Sequence, residues 1–173
     1  MRYFIAFLLA WFFAVVNVSA LPYIKILGVT PDFVLIFAAC WAVLREPDEA
    51  LIVIPVAGFL RDLAGSDPLG TSVIALAPIV LLAAAVRLRA VDSQFLPTVI
   101  VVMAGSAAYS VISAVILRAT GQEIAWGHFI LRIAFPLILV NGVFTPFVYL
   151  PISRLMPAPR PSILGPGRIT SPL

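Results

Sequence analysis

Few side chains in this sequence could do chemistry: it holds eleven Lys and Arg, eight Asp and Glu and a single His in 173 residues. Asp32 and Asp62 border long apolar runs, and two carboxylates could form a membrane protease dyad, one protonated so that the other acts as base. The flanking motifs of such proteases are missing, and Asp32, following Thr30-Pro31, is read instead as the acid at a helix start. Arg61 and Asp62 are neighbours, so on a helix they point about 100° apart. Asp62 is therefore expected to pair with Lys25, Arg118 or Arg132 from another helix end, as a structural ion pair. His128 stands alone, which leaves no multi-histidine metal site and little basis for acid-base catalysis. Cys40 lies in an apolar run, so no internal disulfide or paired-cysteine metal site can form, and it reads as a small packing residue. Asn17 and Asn141 sit in apolar segments, where such groups hydrogen-bond between helices. Asn141, between Pro136 and Pro146, also occupies the place where a broken transport helix would carry a site. No inverted repeat or central acid accompanies it, and packing kinks at these prolines are expected instead. Nucleophile elbows, zinc-protease helices, phosphate loops and paired-aspartate transferase motifs are absent. The expectation is a nonenzyme with no cofactor and no metal.

The elements that position these groups are membrane helices. Apolar residues make up 62% of the chain, charged residues 11%, and the mean hydropathy is +1.13, against roughly 45 to 50% and about 25% in soluble domains. The fold class is all-α, a bundle of six transmembrane helices at about 20 residues per span. The spans fall at 3–21, 31–45, 49–63, 68–88, 93–118 and 126–155. The first also has the build of a cleavable signal peptide, ending in Val18-Ser19-Ala20, and is read as an uncleaved helix. The second and third are short for a hydrocarbon core of about 30 Å, so thinning or protein burial must cover the deficit. A re-entrant hairpin there would bury the charged turn Arg45-Glu46-Pro47-Asp48-Glu49. Gly65 can end the third helix and Ser66 or Asp67 can cap the fourth, with Pro68 in its first turn. The fifth carries a close-packing seam of Ala104, Gly105, Ser106, Ser110, Ser113 and Ala114. Residues 156–173 form a flexible, basic, Pro-rich cytoplasmic tail that could lie on anionic lipid through Arg154, Arg160 and Arg168.

The basic residues lie singly at the ends of apolar runs, which fits membrane topology and not nucleic-acid binding. With the N-terminus inside, seven face the cytoplasm (Arg2, Arg45, Arg87, Arg89, Arg154, Arg160, Arg168) and four face out (Lys25, Arg61, Arg118, Arg132). Both termini are therefore expected inside.

One ordered set of residues is more distinctive. Pro31-Asp32-Phe33-Val34-Leu35-Ile36, then Gly58-Phe59-Leu60-Arg61-Asp62-Leu63, then Gly65-Ser66 and Pro68-Leu69-Gly70-Thr71, resembles the rod shape-determining protein MreD family. The match is good from Pro31 to Ala85 and rests elsewhere on length and hydropathy. The resemblance implies a bacterial inner-membrane component of the wall-elongation machinery, working with MreC, RodA, the elongation penicillin-binding protein and MreB. It implies six helices and a fold like the S components of energy-coupling-factor transporters. Pro31, Asp32, Gly58, Asp62, Pro68 and Gly70 are the family-motif or partner-contact candidates. Two functions follow as expectations. One is a scaffold that positions MreC and the peptidoglycan synthases by grooves near the second and third helices. The alternative is a small-molecule or lipid-binding protein like an S component, with an outer polar pocket lined by groups such as Asp62 and Asn141.

Overall fold

The computed structural model describes residues 2–20, 23–65, 68–87 and 93–155. The described residues form six helices: α1 (Arg2–Ser19), α2 (Phe33–Leu44), α3 (Pro47–Ala64), α4 (Thr71–Arg87), α5 (Phe95–Ala119) and α6 (Trp126–Leu155). The last two are long and apolar enough to cross a membrane. The cap residues expected at Ser66 and Asp67, and the tail, lie outside the described residues.

α2 is the axis of the molecule. It packs against α1, α3, α4, α5 and α6, which follow one another around it in the order α1, α3, α4, α5, α6. Every α2 residue from Val34 to Leu44 is buried. An all-round apolar sequence such as FVLIFAACWAVL has no polar face to offer water and settles in the centre of its bundle. Its 12 residues reach only about 18 Å, and protein burial covers that deficit. α2 itself has no outward face, so a partner groove near the second and third helices would have to be built by the helices around it. Cys40 is fully buried as a packing residue.

The ring of outer helices is not closed. α1 and α6 make no backbone contact among the described residues. Aromatic side chains fill that seam: Phe13 of α1 lies against Phe33 and Phe37, and Phe33 lies 5.8 Å from Phe144 of α6, ring centre to ring centre.

Local chemistry sets the helix ends. α3 starts at Pro47, earlier than expected, because proline suits a first helical position and Asp48 and Glu49 then meet the positive end of the helix dipole. α4 starts at Thr71, later than expected from Pro68, because Gly70 takes a left-handed turn (φ +93°) just before it. In α6, Ile130–Ala134 is a π-helical turn in which the Phe135 N–H donates to the Ile130 carbonyl. Pro136, which has no N–H and crowds the carbonyl of Arg132, follows it directly, and the widened turn absorbs that conflict.

Candidate functional site

Polar groups gather at one end of α2, where the chain leaves α1 and where α3 turns into α4. Asp32 is the N-cap of α2, its Oδ1 accepting from the Leu35 N–H at 3.1 Å. Its other oxygen meets Arg61 Nη1 of α3 at 2.6 Å, and both side chains are largely buried. Asn17 of α1 spans the same corner, donating to Asp32 Oδ1 at 3.3 Å and accepting the Phe33 N–H at 3.1 Å. Asn141 of α6 accepts the Asp32 N–H at 2.8 Å and donates to Ser106 Oγ of α5 at 2.9 Å. Four helices are thus tied to the first residues of α2. A buried charge is tolerated because a counter-ion and backbone donors replace its water.

The neighbouring corner uses the next residue. Asp62 accepts the Gly70 N–H at 2.7 Å and the Ser72 N–H at 3.1 Å, so α4 is capped by a carboxylate from α3. The expected pairing of Asp62 with Lys25, Arg118 or Arg132 is therefore corrected: the otherwise unpaired N–H groups at the start of α4 lie within hydrogen-bond reach of the carboxylate and take it. Arg118 stacks instead over Trp126 at 5.9 Å, and His128 and Arg132 are exposed.

Gly58, one turn before Asp62, is where α3 and α4 touch. A Cβ there would lie 2.9 Å from both the N and the Cα of Val73. The spacing of four residues puts Gly58 and Asp62 on one helix face, so one admits the α4 backbone and the other caps it. Among the candidates, Pro31, Asp32, Gly58 and Asp62 are buried, Gly70 is half-buried and Pro68 exposed. Asp32 and Asp62 are committed to different helices, and no hydrogen bond joins them among the described residues. A protease dyad needs a shared proton between two carboxyls.

Arg61 also lies over the Tyr109 ring at 4.5 Å, and the Tyr109 hydroxyl bonds Ser72 Oγ at 3.2 Å, linking the two corners. The Asp32–Arg61 pair was not read from the sequence, although a signal for it exists. The midpoint between 32 and 61 is the Glu46–Pro47 junction, and in an antiparallel helix pair, residues equidistant from the turn face each other. Of the α5 seam, Gly105 admits Ile79 of α4 and Ser106 meets Asn141.

A cavity of about 350 Å³ opens beside this end, between Asn17, the 25–32 loop, Arg61, Tyr109 and the start of α6 at Ile133 and Leu137. Asp62 and Asn141, expected in an outer pocket, do not line it. The fold and this end define a class: an all-helical bundle whose buried Asp32 and Asp62 are satisfied by its own helices. The sequence model of the family described as rod shape-determining protein MreD matches residues 1–158, and the chain belongs to that family. No curated protein and no solved structure matches it.

Proposed function

We propose that this chain is a noncatalytic scaffold of the wall-elongation complex, spanning the bacterial inner membrane six times with both termini inside. In this role it positions MreC and, through it, RodA and the elongation penicillin-binding protein, with MreB as a further member. The observation that carries the reading is how the motif residues are used. Asp32, Arg61, Asp62 and Gly58 are spent on joints between helices, which suits a protein whose output is a fixed shape.

The partner surface belongs on the outside of α1 and α3. Between them lies an apolar groove of about 210 Å³, lined by Tyr3, Phe7, Ala10, Ile52 and Val56 among others, and Leu51, Ile52, Phe59 and Leu63 are exposed on α3. A single apolar partner helix fits such a surface by close packing. MreC is expected to copurify with the wild-type chain in mild detergent, and Ile52→Trp, which fills the groove, is expected to weaken that association. Unchanged rod shape after depletion of the protein would sink the scaffold reading.

A second reading, a membrane protein that holds a lipid or small molecule in an S-component-like bundle, is favoured by one observation, the half-open polar cavity beside Asp32 and Arg61.

A further inference from the structure

The cavity beside Asp32 lies at one end of the open seam between α1 and α6. Its walls come from Asn17 at the end of α1 and from Ile133 and Leu137 at the start of α6, the two helices that make no backbone contact. Next to it the seam is filled by the rings of Phe13, Phe33 and Phe144, each partly exposed. A polar chamber is therefore bordered by an apolar, aromatic surface on the outside of the bundle.

The chamber carries an excess of positive charge. Lys25 and Arg61 line it against a single acid, Asp32, which pairs with Arg61. Lys25 is exposed, and no ion pair involving it occurs among the described residues. Asn17, Thr30 and Tyr109 add uncharged hydrogen-bonding groups. The roof is a tight turn in which Ile26 and Val29 exchange backbone hydrogen bonds at 2.8 and 3.0 Å. Leu27 holds a left-handed backbone there (φ 54°) beside Gly28 (φ 83°), a conformation costing about 1 kcal/mol or more for a non-glycine residue. That turn lies between Lys25 and Thr30, both of which line the chamber. The π-helical turn Ile130–Ala134 shapes the opposite wall by carrying Ile133, and such turns recur where a helix builds a site.

We propose that this chamber and seam bind one anionic membrane amphiphile. Its oxyanion head sits by Lys25 and Arg61, and its hydrocarbon chain lies along the partly exposed ring surface of Phe13, Phe33 and Phe144. About 350 Å³ is within the range of ligand sites, roughly 300 to 1,000 Å³, and holds a headgroup but not a whole lipid, so the chain must leave through the side. A soluble anion would need no such exit. The inference rests on the second reading above, which it deepens by naming the ligand class, and is separate from the scaffold reading, since it requires no protein partner.

The test is native mass spectrometry of the full-length protein released from nanodiscs of phosphatidylglycerol or phosphatidylcholine. One phosphatidylglycerol is expected to remain bound per chain, with phosphatidylcholine retained several-fold less. Lys25→Gln should reduce retention about fivefold, the effect of one cation near an anionic surface. Ile133→Trp, at a partly exposed wall position, should block the chamber without removing charge, whereas Arg45→Gln, at the opposite end of α2 from the chamber, should leave retention unchanged. Equal retention of both lipids overturns the proposal, as does undiminished phosphatidylglycerol binding in both Lys25→Gln and Ile133→Trp. Inorganic phosphate that stabilises the protein in phosphatidylcholine nanodiscs, with no phosphatidylglycerol adduct, overturns it in favour of a soluble anion.

Discussion

The two ends of α2 hold charge in different ways. At the turn into α3, Arg45 meets Glu49 through two hydrogen bonds of 2.9 and 3.1 Å, a pair four residues apart on one short segment. At the start of α2, Asp32 reaches Arg61 on another helix and Asn141 on a third, 109 residues away in sequence. The first pair would form in any chain that made this turn; its side chains are as buried as those of the second, but it sits beside the exposed Glu46, Pro47 and Asp48. The second exists only when the bundle is assembled. A local pair shapes a corner, whereas a distant pair locks an arrangement.

This contrast can be broken by substitution. Arg61→Ala should be the most damaging change, costing about 3 kcal/mol in detergent-titrated unfolding of the purified protein, because it strands the buried Asp32 carboxylate. Removing the acid as well, in Asp32→Asn with Arg61→Ala, should recover part of that loss, with a coupling of about 1 to 3 kcal/mol. Additive losses would mean that the two groups do not act as a pair. Asp62→Ala is expected to cost about 2 kcal/mol by leaving the Gly70 and Ser72 N–H groups without an acceptor, and Asp62→Asn less, since its amide oxygen still accepts. Gly58→Ala should cost about 1 to 3 kcal/mol by pushing α3 off the α4 backbone, read as a lower melting temperature. Arg45→Ala, the control for the local end, takes this partner from the buried Glu49 carboxylate and should cost about 1 to 2 kcal/mol, less than Arg61→Ala because the exposed Glu46, Pro47 and Asp48 leave water within reach. A loss there equal to that of Arg61→Ala would erase the distinction between the two ends. Val143→Ala, exposed on α6, should stay within about 0.5 kcal/mol.

The gap between α1 and α6 offers a second contrast with the close joints of α3, α4 and α5. Gly58 and Gly105 bring backbone or side chains into direct contact there, while the α1–α6 seam is filled by rings from three helices. Phe144→Ala, which removes a ring packed against the core, should therefore lower the melting temperature and also reduce retention of the proposed amphiphile, which Gly58→Ala should not.

Much of this protein is determined by one-dimensional chemistry. Apolar runs, prolines near helix starts and glycines near turns define the helices to within a few residues, because these preferences act over one helical turn. Asp32 as a helix-start acid, Cys40 as packing and Asn17 and Asn141 as interhelical bonds follow from the same local rules and from the rarity of polar groups in apolar runs. The ordered residues from Pro31 to Thr71 were enough to point to the family that the match over residues 1–158 establishes. What only the tertiary structure decided is which of two adjacent charges goes where. Arg61 and Asp62 point to different sides of α3, and the partner of each depends on which helix lies there: Asp32 for one, the start of α4 for the other. The central place of α2 and the open seam were decided in the same way, since an apolar helix carries no mark of whether lipid or protein will surround it.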